Sequence, residues 1–222
     1  MSPGVAAILL SVTLSMVAAQ AVGVHPISGR RYAEVMDASG ASWLDRSERD
    51  LEEAPDDALD LVGVKKGTTV ADIGAGSGYM TVKLSKRVGA NGVVYATDIQ
   101  PAMIDLLARR ITKAKLVNVK TILGAVDDPR LPPASIDMAL MVDVYHELSQ
   151  PQVMLRKILE ALKPGGRLVL LEYRKEDPSI PIRPEHKMSV SEAKMELEAK
   201  GFKLMRVDDG LPRQHVLIFT KR

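Results

Sequence analysis

The 222-residue chain contains no cysteine. That excludes disulfides, thiolate metal sites and a cysteine nucleophile. Aromatic residues are few, with one Trp, five Tyr and two Phe, so no dedicated stacking cage is expected. Charge of one sign is also lacking: Lys and Arg number 30 against 28 Asp and Glu, a net +2. A nucleic-acid surface needs a basic face, and no nucleic-acid partner is expected. The chain is 46% hydrophobic and 26% charged, which reads as a globular body. The length suits one domain with an N-terminal extension.

That extension holds an uncharged run, residues 5–24, "VAAILLSVTLSMVAAQAVGV". It resembles a signal-peptide core, and Ala19-Gln20-Ala21 offers a small-x-small cleavage site, although a basic segment before it is missing. Alternatively the run tethers the domain to a membrane. Arg30 and Arg31 then follow it on the cytosolic side, as the positive-inside rule requires. A third reading starts the chain at Met16 and leaves it cytoplasmic. The expected organisation is residues 1–24 as signal or tether, 25–46 as linker and lead-in, and 47–222 as the folded domain.

From Ser47 to Leu61 the sequence turns acidic, and Pro55 divides it into two short helices. Strands and helices then alternate. Val70–Ile73, Val93–Thr97, Val119–Leu123, Ile136–Val142 and Leu168–Leu171 are expected strands. Met80, Leu84 and Val88 mark one helix, closed by Gly89. Pro101 opens a second at its tolerated first position. A third covers Val153–Leu162, and Lys163-Pro164-Gly165-Gly166 is expected to stop it. This alternation predicts an α/β fold with a doubly wound, mostly parallel sheet. Near the C-terminus Ser189 and Glu192 form a capping box. Phe202–Val207 and Val216–Thr220 follow as an antiparallel hairpin, for seven strands in all.

The stretch "VADIGAGSGYMT", Val70 to Thr81, sits in the first strand–helix turn, where open parallel sheets bind ligands. Glycine permits positive φ and removes the Cβ that would block a close approach. The helix that follows offers free N–H groups to an anionic ligand group. A dinucleotide site wants G-x-G-x-x-G/A, but Tyr79 stands where the third glycine should be. A P-loop fails as well, because no Gly-Lys-Ser/Thr follows. The pattern is D-x-G-x-G-x-G, led by Asp72.

With Asp98 closing the second strand in "VVYATDIQPAMI", with "LPPASIDMALMVDVYHEL", and with "LKPGGRLVLLEY", the chain resembles the class I S-adenosylmethionine-dependent methyltransferases over roughly residues 50–222. The resemblance implies a Rossmann-like sheet and S-adenosyl-L-methionine as cofactor. It implies that Asp72 and the turn Gly74, Ala75, Gly76 and Gly78 pass under the methionine portion. Asp98 would accept hydrogen bonds from the ribose hydroxyls, and Ile99 would pack on adenine. Asp127 and Asp128 are both candidates for the adenine amino group, and both can equally be a plain turn.

Methyl transfer from a sulfonium is an in-line displacement in which alignment supplies much of the rate. A base is needed only when the acceptor must lose a proton. The fourth strand ends in Asp143-Val144-Tyr145-His146-Glu147, expected to face the methyl group. His146 is the candidate base, Tyr145 a candidate for orienting the acceptor, and Asp143 a third catalytic candidate. Glu147, Arg174 and His186 are candidates for the acceptor pocket. The Asn/Asp-Pro-Pro pattern of amino-group methyltransferases is absent. So are the cysteines of arsenite methyltransferases and the full acid set of magnesium-dependent catechol enzymes. What remains resembles the small-molecule group that includes quinone-biosynthesis enzymes, acting on a small acceptor without a metal. A cofactor-binding module without catalysis is the alternative, and aminopropyl transfer in the same pocket is a weaker third.

Overall fold

Residues 23–221 are described by a computed structural model. The expected apolar segment at 5–24 lies outside them, save for Gly23 and Val24. Among the described residues no helix is long and apolar enough to cross a membrane.

Three short helices precede the sheet: α1 (Ala41–Leu44), α2 (Arg49–Glu53) and α3 (Pro55–Val62). Pro55 divides the last two as the sequence indicates, occupying the first turn of α3, where its missing N–H costs nothing. The longer helices are α4 (Tyr79–Val88), α5 (Pro101–Lys113), α6 (Pro151–Ala161) and α7 (Val190–Glu198). Ser189 and Glu192 cap α7 reciprocally.

The strands are β1 (Thr69–Ile73), β2 (Val93–Asp98), β3 (Val119–Leu123), β4 (Ile136–Val142), β5 (Leu162–Arg174), β6 (Lys187–Met188), β7 (Phe202–Asp208) and β8 (Gln214–Lys221). They run in the order β3-β2-β1-β4-β5-β8-β7, with the two-residue β6 paired to the end of β5. β1 to β5 are parallel, and β8 is antiparallel to both of its neighbours. β6 is one strand more than the sequence indicates. Side chains alternate across the sheet. Ala71, Ala139 and Met141 face α6 and α7, while Val70, Met138 and Leu140 face α3 and α4.

Two expectations change. Lys163–Gly166 does not separate helix from strand. Leu162 already pairs with Ile136, and the next register pair is Met138 with Arg167, so the four residues bulge out within β5. Gly165 has φ +75°, and a Cβ on Gly166 would lie 2.9 Å from the Lys163 carbonyl oxygen and 3.1 Å from that of Ile136. Glycine is what lets the bulge close.

The lead-in packs against the domain rather than standing off it. Arg30 is buried and pairs with Glu196 of α7 (Nε–Oε1 2.8 Å, Nη2–Oε2 3.0 Å). His25 lies 3.2 Å from the same carboxylate, and the Ser28 hydroxyl donates to it. Arg30 is therefore spent inside the fold, while Arg31 beside it is exposed.

Candidate functional site

Strand order reverses between β1 and β4, and the carboxyl ends of these strands open into a cavity of about 1020 Å³. That is the upper end of the size range for small-molecule sites. Asp98 and Ile99 line one end, the Gly74–Ser77 turn forms the floor, and His146, Glu147 and His186 line the other end.

The turn shows what its glycines do. Gly74, Gly76 and Gly78 all have positive φ, from +54° to +88°. A Cβ on Gly74 would meet Val144 at 2.5 Å, one on Gly76 would meet Leu44 at 2.9 Å, and one on Gly78 would meet Leu107 at 2.5 Å. The close approach is thus made by the protein itself. Gly74 admits the loop after β4, and Gly78 admits α5.

Asp98 is locked by the same turn. Its Oδ2 accepts from the Gly76 N–H and its Oδ1 from the Gln100 N–H, both at 2.9 Å. Each oxygen keeps a second lone pair for another donor. Burial raises its pKa, against the pull of these backbone bonds. Asp72 sits beneath the turn, 2% exposed, and accepts from Thr81 of α4 at 2.6 Å. Burial pushes its pKa up to about 6.

The adenine-side acids fall differently from expectation. Ala125, Val126 and Pro129 form the wall there, and neither Asp127 nor Asp128 lines the cavity. Asp128 instead accepts from the backbone of Arg130.

The loop after β4 opens on Asp143, a non-glycine residue at φ +54°. Its Oδ2 takes a 2.7 Å hydrogen bond from Gln214, and its Oδ1 is buried without a hydrogen-bond partner among the described residues. Burial, then Glu53 and Glu172, raise its pKa, while Arg49 opposes them. A 3₁₀ turn at Tyr145–Glu147 follows.

His146 is 1% exposed and held from both sides. Its Nδ1 lies 2.6 Å from Oε2 of Glu172, a residue of β5 that is itself wholly buried and accepts from the Tyr145 N–H through Oε1. Its Nε2 lies 3.1 Å from His186 Nδ1, and His186 Nε2 lies 2.9 Å from an Arg183 guanidinium nitrogen. A carboxylate only accepts and a guanidinium only donates. The two ends therefore fix both neutral rings with the proton on Nδ1. Burial, His146 and Arg183 lower the pKa of His186 to about 4. Burial raises that of Glu147 to about 7, with its Oε1 within 4.0 Å of both imidazoles.

Two further candidates leave the site, after Asp127 and Asp128. Tyr145 is fully buried beneath the loop and does not line the cavity; the Arg30 guanidinium lies 5.3 Å from its ring centroid. It has no face toward an acceptor. Arg174 spends its guanidinium on the carbonyl oxygens of Leu211, Pro212 and Gln214, clamping the β7–β8 loop. Two supporting residues take roles that sequence reading did not assign. The expected fifth strand ends at Leu171 and leaves Glu172 beyond it, whereas the structure keeps Glu172 within β5, where it backs His146. Arg30, which donates to the His146 carbonyl oxygen at 3.1 Å, comes from a segment expected to be a linker.

Comparisons with known proteins agree with this architecture. Residues 70–166 match the family described as a methyltransferase domain. A ubiquinone/menaquinone biosynthesis C-methyltransferase of Idiomarina loihiensis is 30% identical over 118 residues, covering 53% of this chain and 47% of that protein. The Citrobacter koseri enzyme of the same description matches equally. The chain spans about half the length of these curated relatives. A SAM-dependent methyltransferase structure from Aquifex aeolicus superposes with a TM-score of 0.78 at 30% identity, covering 84% of this chain and 98% of that one. With this sheet order and this site, the chain belongs to the class I S-adenosylmethionine-dependent methyltransferases, enzymes whose cofactor is S-adenosylmethionine.

Proposed function

We propose that this chain methylates a small-molecule acceptor bound against His146, Glu147 and His186, and that His146 takes the acceptor's proton. The observation that carries the reading is one continuous cavity with a locked carboxylate at one end and a carboxylate-backed imidazole at the other.

The donor and acceptor set suits the cofactor. Asp98 has lone pairs left for a ribose diol, and the exposed face of Ile99 offers an apolar surface for adenine. The unpartnered Oδ1 of Asp143 suits the ammonium group of the methionine portion. When bound, S-adenosylmethionine supplies an activated methyl group on a cationic sulfur. The chain's residues do the rest. Glu172 holds the His146 ring with Nδ1 protonated, which makes Nε2 the basic nitrogen; it accepts from the His186 Nδ1–H here and must exchange that partner for the acceptor's proton. Arg30 and the Ala33 N–H both hold the His146 carbonyl oxygen, fixing the loop that carries the ring. Val35, Met36, Trp43 and Leu44 of the lead-in line the cavity as an apolar wall. General-base catalysis of this kind contributes about 10²–10⁴-fold.

The relatives named above are ubiquinone/menaquinone biosynthesis C-methyltransferases, which makes quinone-type ring compounds the first acceptors to try. The full chain would be incubated with S-adenosylmethionine and a panel of hydroxylated aromatic and quinol compounds, and S-adenosylhomocysteine release followed. Acceptor-dependent release that His146→Gln slows supports the reading. Release unaffected by that substitution would remove His146 from the chemistry.

A further inference from the structure

The acceptor end of the cavity brings together three ligand-type atoms with unusual economy. His146 Nε2, His186 Nδ1 and Glu147 Oε1 lie 3.1, 3.9 and 4.0 Å apart. In their common plane, the point equidistant from all three is about 2.2 Å from each. That is the bonding distance of zinc-class ions to imidazole nitrogen and carboxylate oxygen, about 2.0–2.2 Å. The atoms come from two separate loops, so local sequence does not force this convergence.

The surroundings fit as well. Metal-bound histidines generally donate their other ring N–H to a carboxylate, which orients the ring and raises its basicity. Glu172 stands in that relation to His146, at 2.6 Å and fully buried. His146 is 1% exposed, so its ring is already held in place rather than swinging in solvent. The fourth side of the cluster opens on the cavity.

We propose that His146, Glu147 and His186 bind one first-row divalent cation of the zinc class at the acceptor end of the cavity, with its open position toward an oxygen of the acceptor. Two histidines and one carboxylate with an open position is a ligand set known to suit zinc and non-haem iron. The ion replaces the hydrogen bond between the two histidines. With the ion bound, His146 is a ligand and the ion takes over the role proposed for its free imidazole: it stabilises the acceptor oxygen as the anion, and the proton released passes to solvent. That functional role rests on the proposed methyltransferase reading, whereas the ion's geometry does not. One rearrangement is required. A metal on Nδ1 of His186 puts the ring proton on Nε2, so the Arg183 guanidinium now beside it must move. The Arg183 side chain is 70% exposed and free to do so.

The test is calorimetric titration of the full chain, stripped with chelator, with ZnCl₂ and separately with MgCl₂. Cobalt(II) absorption reports the ligand set directly. The expected result is one Zn²⁺ per chain, no Mg²⁺ binding, and a visible cobalt band of a four-coordinate nitrogen/oxygen site. His186→Ala and the conservative Glu147→Gln should each weaken Zn²⁺ at least 10-fold with unchanged circular dichroism. Glu172→Gln should weaken it about 10–100-fold, as loss of an outer partner does. Arg183→Ala should bind as tightly or more tightly. Absence of Zn²⁺ binding, or binding indifferent to both His186→Ala and Glu147→Gln, overturns the proposal. S-adenosylhomocysteine titrated into the same samples separates the two failures. Its binding without zinc sinks the metal site alone. Zinc without its binding sinks the methyltransferase reading alone.

Discussion

The two ends of the cavity are built on different principles. The end proposed for the cofactor is made within one βαβ unit: a glycine turn, the acid closing the next strand, and two backbone N–H groups that bind that acid. The acceptor end is assembled from loops far apart in sequence. His146, Glu172, Arg183 and His186 meet there, and Arg30 props them from the lead-in. The first is held by backbone geometry and the second by side-chain charge. Substitutions at the two ends should therefore fail differently.

The largest separation is expected from His146→Gln. Turnover should fall about 10²–10⁴-fold, while S-adenosylhomocysteine affinity stays within a few-fold, measured by steady-state kinetics beside calorimetry. If affinity falls in step with turnover, the division between the two ends is false. Arg30→Ala is next. Removing its cationic partner leaves Glu196 buried with only His25 and the Ser28 hydroxyl against it, and breaking a buried pair costs up to about 3–5 kcal/mol. Denaturant unfolding should show that loss, and turnover in the surviving folded protein should fall because the His146 carbonyl oxygen loses a donor.

Asp72→Asn sharpens the comparison in the opposite direction. Asp72 has a folded pKa of about 6 against an ordinary 3.8. The folded state therefore holds the proton more tightly than the unfolded one. Its stability contribution is full below about pH 3.8 and is lost as pH rises to about 6, and the penalty then stays constant. Two units correspond to about 3 kcal/mol. Asp72→Asn should raise stability at pH 7.5 by up to that amount and flatten the pH dependence between 4 and 6. Unfolding midpoints of both proteins across that range check it. An equal pH dependence in the two would show that Asp72 is not the group responsible. The smallest effect is expected at Gly74→Ala. A positive φ costs a non-glycine residue about 1–2 kcal/mol, and the added methyl presses on Val144, two residues from His146. Thermal unfolding should show the loss, and turnover should fall more than cofactor affinity.

The same division explains what sequence could reveal. Strand–helix alternation, Pro55, the Ser189–Glu192 box and the glycine turn are local, and each was legible because its physics acts within a few residues. Asp98 was legible because the strand end fixes where it points. The glycines were legible as close approaches, but not what approaches them, since Val144, Leu44 and Leu107 are distant in sequence. Lys163–Gly166 reads as a helix stop, and only pairing with β4 makes it a bulge. Tyr145 and His146 are neighbours in sequence, yet one is buried against Arg30 and the other lines the cavity. No local pattern distinguishes them. Glu172 falls just past the expected fifth strand, and nothing local shows what it holds, because its partner His146 lies 26 residues away.

The most direct test of the account is calorimetric titration of S-adenosylhomocysteine into wild type, Asp98→Ala and His146→Gln. In the proposed placement of the cofactor, Asp98→Ala removes two charge-assisted contacts to the ribose, and it leaves the Gly76 and Gln100 N–H groups without their acceptor. At roughly 1.5–3 kcal/mol for a hydrogen bond to a charged group, affinity should fall 100-fold or more. His146→Gln should bind nearly as wild type does. Equal binding by wild type and Asp98→Ala, or loss in His146→Gln alone, would contradict the placement of the cofactor and with it the orientation of the whole site.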